Sequence, residues 1–163
     1  MTTSQTSPKK SNEIYIHTDG SCLGNPGIGG WGAIIQYNDK EKILSGGDPS
    51  TTNNRMEMTG IISALEWCRK SFFSKMEKNK KERQPIIKIH SDSNLIIQTL
   101  LQHWKRKKNI DLWAEMDSVV NDLEMNDCKL EWIWVKGHAT NIMNNRVDKI
   151  AVEQSTKIKN HSR

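Results

Sequence analysis

Four acidic side chains fall where the pattern of the chain could bring them together. Asp19 closes an alternating segment, Ile14, Ile16 and Thr18 against Tyr15 and His17, that reads as a strand. Asp92 closes a more continuously apolar segment, Ile86 to His90, which suits a buried central strand. Glu57 precedes Met58, Ile61, Ile62, Leu65 and Cys68, the spacing of one buried helical face, and borders that face in the first turn. Asp148 lies near the start of a last helix on Val147, Ile150 and Ala151. Each alone has an ordinary explanation. Asp19 and Asp92 suit turns or N-caps, and Asn54 and Glu57 have the spacing of a capping box. Together they are harder to dismiss, because a buried carboxylate costs several kcal/mol unless a cation or donors meet it. Crowded carboxylates cannot all stay ionised without a counterion. All-oxygen ligation selects hard ions, Mg²⁺ or Mn²⁺, over zinc. In a chain of net charge +5 and pI about 9.1, an acidic metal centre points to phosphate chemistry on nucleic acid.

The elements that must position these acids follow from periodicity and turn signals. A first strand covers Glu13 to Thr18, and a turn-rich connection runs from Gly20 to Gly30. A hairpin follows, Trp31 to Tyr37 and about Lys42 to Gly46, turned at Asn38-Asp39-Lys40. The helix bearing Glu57 extends to about Lys75, and a charged linker leads to Pro85. After Asp92 comes a helix on Leu95, Ile96, Thr99 and Leu100, then the run Lys105-Arg106-Lys107-Lys108. The next helix places Leu112, Met116, Val119, Val120 and Leu123 on one side. Leu130, Trp132 and Trp134 alternate in a fifth strand, Gly137 to Asn145 is a loop, and Arg146 to about Gln154 the final helix. The order of three strands, helix, strand, helices, strand and helix implies an α/β domain: a five-stranded mixed sheet covered by helices.

Length and composition narrow the class. The 163 residues suit one domain, expected over 13–155 between flexible tails at 1–12 and 156–163. No apolar run reaches the ~20 residues of a membrane span, and the polar N-terminus lacks a signal peptide's apolar region. Cys22, Cys68 and Cys128 are odd in number and widely spaced, which indicates neither a disulfide framework nor a zinc site. The expectation is an intracellular protein, cytoplasmic first, with nucleus and organelle left open. Gly27-Ile28-Gly29-Gly30-Trp31-Gly32 fits the dinucleotide fingerprint G-x-G-x-x-G, but that motif must open a helix and here a β-rich segment follows. These glycines are read instead as allowing a tight turn and a close backbone approach to a ribose.

Four segments in order carry a resemblance: Thr18-Asp19-Gly20-Ser21-Cys22-Leu23-Gly24-Asn25-Pro26-Gly27, Thr51-Thr52-Asn53-Asn54-Arg55-Met56-Glu57, Ser91-Asp92-Ser93 and Trp134-Val135-Lys136-Gly137-His138-Ala139. Over about Glu13 to Gln154 the chain resembles type 1 ribonuclease H. The resemblance implies a ribonuclease H-like fold with strand order 3-2-1-4-5, the first three antiparallel. It also implies endonucleolytic cleavage of the RNA strand of RNA–DNA hybrids, leaving 5′-phosphate and 3′-hydroxyl ends. Two Mg²⁺ about 4 Å apart would clamp the attacking and leaving oxygens, with Mn²⁺ the alternative. Asp19 would bridge both ions, Asp148 complete the one that activates water, and Glu57 and Asp92 hold the one facing the leaving oxygen. His138 would be a mobile loop histidine assisting proton movement or product departure.

Hybrid recognition needs a reader of the 2′-hydroxyl. The resemblance assigns it to Glu57 and the backbone of Gly20, Ser21 and Cys22. It gives Asn25, Asn53 and Asn54 the minor groove, Thr52 a DNA phosphate, and Asn94, where many relatives have Gln, a reach to the RNA. The family's basic protrusion is cut here to Lys105, Arg106, Lys107 and Lys108 before Asn109, and these four are expected to bind substrate. Asn145 stands where some relatives carry an acid. The expected partner is an RNA–DNA hybrid duplex, engaged by a monomer and away from any membrane. Two rivals remain: a catalytically silent duplex-binding module, disfavoured because all four acids are present, and another nuclease or polynucleotidyl transferase of the same fold.

Overall fold

The computed structural model describes residues 12–73, 85–136 and 141–161. Its strands are β1 (Glu13–Leu23), β2 (Gly27–Tyr37), β3 (Lys40–Thr51), β4 (Ile86–Ser91) and β5 (Lys129–Trp134). Its helices are α1 (Asn53–Cys68), α2 (Asn94–Gln102), α3 (Ile110–Met125) and α4 (Ile142–His161), with a π-helical turn at Arg69–Phe73 after α1. The sheet order is β3-β2-β1-β4-β5, with β1, β2 and β3 antiparallel and β4 and β5 parallel to β1. This is the expected ribonuclease H-like architecture.

Helices cover both faces. On one, Ile14, Ile16, Ile87 and Ile89 of β1 and β4 pack in a single core with Met58, Ile61 and Leu65 of α1 and with Met116 and Leu123 of α3. On the other lies α4, brought against β2 by glycine. A Cβ on Gly30 would lie 2.3 Å from the Ala151 carbonyl oxygen, and one on Gly32 would lie 2.7 Å from Cγ2 of Ile150. The neighbouring Gly29 faces the opposite way, where a Cβ would meet Thr51 and Met56.

The expected elements are present, and several boundaries move. The supposed connection Gly20 to Gly30 is mostly strand: β1 runs on to Leu23 and β2 begins at Gly27. Only Gly24, Asn25 and Pro26 turn the chain, with Gly24 at φ +80°. Of the motif glycines, Gly27 does serve the tight turn, since a Cβ there would lie 2.1 Å from the Leu23 carbonyl oxygen, whereas Gly29, Gly30 and Gly32 serve close helix–sheet packing, and no helix opens from them. Asn38 and Asp39, both at positive φ, form a two-residue hairpin loop, one residue shorter than the expected turn because Lys40 already pairs with Tyr37 in β3.

The cap of α1 is Thr52, whose side chain accepts from the Arg55 N–H, so the Asn54–Glu57 capping box is not formed. At the other end, α4 starts at Ile142, inside the expected loop, and continues to His161. Residues 156–161, expected in the tail, are thus helical, and Ile158 lies against Gly47 of β3. No helix among the described residues is long and apolar enough to cross a membrane.

Candidate active site

Asp19 does not end its strand. It sits inside β1 opposite Gly32 of β2, two residues past His17, the last position paired with β4. Beyond that point β1 and β4 part, and a crevice of this kind at strand ends is where ligands gather in open α/β sheets. Asp19 is buried, at 4 % exposure, and its Oδ1 accepts the Gly20 N–H at 2.9 Å. Gly20 lets α1 reach this point, since a Cβ there would lie 2.5 Å from the Glu57 nitrogen. Glu57, in the second turn of α1 because the cap is Thr52, is equally buried at 4 %. Asp92 follows β4 in the short link to α2, which Ser93 caps by accepting from the Ile96 N–H at 3.3 Å. The Trp134 indole fixes that link by donating to the Asp92 carbonyl oxygen at 3.2 Å.

Asp19, Glu57 and Asp92 each offer a carboxylate oxygen within 4.8 Å of the others. Burial raises the Asp19 carboxyl from its ordinary 3.8 to about 7, and the charge of Asp92 adds to the effect. Glu57 is pushed well up by burial and then by Asp19 and Asp92. Asp92 is raised by burial too, with Asp148 adding to it. Asp148, exposed on α4, stands outside the three acids whose oxygens lie within 4.8 Å of one another, yet it is near enough to raise both Asp92 and Asp19. Oε2 of Glu57 is buried with no hydrogen-bond partner among the described residues. Carboxylates gathered this tightly, with an orphaned acceptor and no cationic partner at hydrogen-bond distance in the described region, fit a hard divalent cation.

The expected substrate residues gather at the β1–β2 turn and the start of α1. The Cys22 thiol contacts the Thr51 carbonyl oxygen at 3.5 Å, and Asn25 Oδ1 accepts the Asn53 N–H at 3.1 Å. Thr52 Oγ1 accepts the Arg55 N–H at 3.2 Å. Asn54 and, at the start of α2, Asn94 are exposed. Ser21 follows Gly20 on β1, half-buried. A crevice of about 210 Å³ separates Asn54 from the segment Lys105–Asn109. There Lys105, Lys107 and Lys108 are exposed. Arg106 differs: it lies over the Trp113 ring at 4.4 Å and pairs with Asp117. His138 lies outside the described residues.

Two features escaped the sequence reading. Arg55 reaches Asp111, 56 residues on, through two hydrogen bonds, a distance that local spacing cannot reveal. Asn144, one turn before Asp148, is buried with Oδ1 lacking a partner among the described residues. Its amide four residues ahead of the acid was the available sign.

Sheet order and acid placement define a ribonuclease H-like α/β domain with a polyacidic site. The RNase H family model matches residues 11–156. A Ribonuclease H of Rhodopseudomonas palustris (strain BisB5) is 39 % identical, covering 92 % of this chain and 97 % of its own. Ribonuclease HI of Caulobacter vibrioides is 38 % identical, covering 86 % and 91 %. The chain belongs to the ribonuclease H family, and is a nuclease, a hydrolase of phosphodiester bonds. Among solved structures, LC11-RNase H1 in complex with RNA/DNA hybrid matches at TM-score 0.69 and 25 % identity, covering 88 % of this chain and 97 % of that one. The N-terminal RNase H domain of a Mycobacterium tuberculosis protein matches in fold at TM-score 0.74 and 21 % identity, covering 94 % and 100 %.

Proposed function

We propose that this protein is an endonuclease that hydrolyses the RNA strand of RNA–DNA hybrids, leaving 5′-phosphate and 3′-hydroxyl ends, with two Mg²⁺ ions in the substrate complex and Mn²⁺ as an alternative. The observation that carries this reading is the convergence of buried Asp19 and Glu57 with half-buried Asp92 within 4.8 Å in a chain of net charge +5. Asp19, Glu57, Asp92 and Asp148 would hold the ions. When bound, such ions stabilise the charge that develops on the attacking and leaving oxygens of an in-line displacement.

The chain's own groups supply position. The Gly20 N–H holds the Asp19 carboxylate, and the Thr52 cap fixes the start of the helix that carries Glu57, before substrate arrives. Gly20, Ser21 and Cys22 present backbone beside them, where a 2′-hydroxyl distinguishes RNA from DNA. Asn25, Thr52, Asn53, Asn54 and Asn94 line the approach. Lys105, Lys107 and Lys108 contribute the sequence-independent attraction to phosphates. His138, which precedes α4 in the sequence, assists proton movement or product departure. The protein works as a monomer inside the cell, in the cytoplasm.

Incubation with Mg²⁺ and labelled RNA–DNA hybrid, double-stranded RNA, single-stranded RNA and DNA tests the reading. The hybrid alone is expected to be cut, on its RNA strand. A DNA duplex with one embedded ribonucleotide should resist, since the row of amides spans more than one sugar. Cleavage of single-stranded RNA as fast as of hybrid would overturn the assignment.

A further inference from the structure

The cationic segment and the carboxylate cluster belong to different parts of the chain, and one side chain joins them. The Arg55 guanidinium, in the first turn of α1, donates to Asp111 Oδ1 at 2.9 Å and Oδ2 at 2.7 Å, and to Asn109 Oδ1 at 3.2 Å. Asn109 closes the cationic segment and caps α3 in position, yet makes no side-chain cap hydrogen bond. It also holds a left-handed backbone at φ 56°. An N-cap asparagine normally accepts from the helix it begins, and a left-handed non-glycine residue is uncommon. Both local preferences are set aside at one residue, and its side-chain oxygen goes to Arg55 instead. Conflicts of this kind between local preference and structure gather at functional positions.

We propose that Arg55 is a positioning residue that sets the cationic segment Lys105–Lys108 at a fixed distance from Asn53, Asn54 and Glu57. The inference rests on the hybrid reading above. The two-pronged pairing with Asp111 fixes the orientation of α3 against α1, and the third hydrogen bond pins the end of the segment. Glu57 lies two residues beyond Arg55 in the same helix. The phosphate-attracting lysines and the metal-binding acids thereby become one rigid frame across the crevice. A lysine at position 55 would keep the charge and lose the planar fork that does this.

The test is hybrid binding in EDTA, followed by fluorescence anisotropy across a range of salt, so that it needs no turnover. Asp111→Ala and Arg55→Lys should each weaken binding roughly five- to twentyfold and lower the salt slope by about one phosphate contact. In Mg²⁺, kcat of Asp111→Ala should stay within about twofold of wild type while KM rises, the sign of lost uniform binding. A second arm separates positioning from general stability. In a Lys105→Ala/Lys107→Ala/Lys108→Ala background, Asp111→Ala should weaken binding no further, even though it lowers Tm by the same amount. Unchanged binding by folded Asp111→Ala, or an equal loss in the lysine-free background, overturns the positioning role. A wild-type chain that neither binds nor cuts hybrid overturns the hybrid reading itself.

Discussion

Asp19 holds the most costly position in the chain. Its carboxyl is buried beside two others, and burial raises it from 3.8 to about 7. The folded state therefore keeps a proton that the unfolded chain releases in that interval. This contribution to stability is fully present below the unfolded value and is lost as pH rises towards 7. Asp19→Asn should abolish hybrid cleavage and, in EDTA at neutral pH, raise unfolding stability by on the order of 1–3 kcal/mol. It should also flatten the stability profile between acid and neutral pH. Activity within a few-fold of wild type, or a Tm in EDTA that falls, would contradict the role assigned to this carboxylate. His138→Ala should slow turnover without ending it, because general acid–base help is worth about 10²–10⁴-fold and aid to product departure less; complete inactivity with metal binding intact would contradict a supporting role. The acids themselves were legible because each adjoins a periodic apolar segment in a basic chain, although only Asp92 lies at an element end. Arg55 was not, since its partners Asn109 and Asp111 are 54 and 56 residues away.

Elements were legible wherever side chains carry a period, as in the α1 face from Met58 to Cys68 or the alternation of Leu130 and Trp132. They were misread where glycine removes the side chain. Gly27 to Gly30 looks like a turn because three of its four residues are glycine, yet it pairs as β2 and its bareness admits helices on both faces. Likewise α4 outran its apolar pattern, since Ile158 needs only Gly47 to rest on. The space at each glycine predicts opposite outcomes for the same substitution. Gly30→Ala would set a Cβ 2.3 Å from the Ala151 oxygen and 2.6 Å from the Ser155 nitrogen, both backbone atoms that cannot swing aside. It should cost about 2–3 kcal/mol and lower kcat, because the shifted helix carries Asp148. Gly60→Ala, inside α1 with nothing nearer than 3.5 Å, should instead stabilise by up to about 1 kcal/mol through helix propensity. Chemical denaturation of the two variants checks this, and equal effects would mean that glycine on β2 does not set the approach of α4.

For the molecule as a whole, net charge of +5 matters less than where cations remain available. Four occur in succession at 105–108, but they are not equivalent. Arg106 is held over Trp113 and paired with Asp117, so its guanidinium is occupied within the fold. Lys105, Lys107 and Lys108 are exposed across the crevice from Asn54. If each of the three neutralises one phosphate, removing it should reduce the salt slope of hybrid binding by about 0.9. Lys105→Ala/Lys107→Ala/Lys108→Ala should therefore raise KM several-fold and flatten its salt dependence. Its kcat should stay near wild type, because attraction to phosphates acts alike on ground and transition states. Arg106→Ala should do the reverse: little change in salt slope, and a loss of stability of about 1 kcal/mol as Trp113 loses its cation and its cover. Titrating KM against salt for both variants, with Tm alongside, separates the roles. A salt slope that falls as much for Arg106→Ala as for one lysine would show that Arg106 leaves Trp113 for the substrate. An unchanged slope in the triple variant would move the phosphate grip away from this segment.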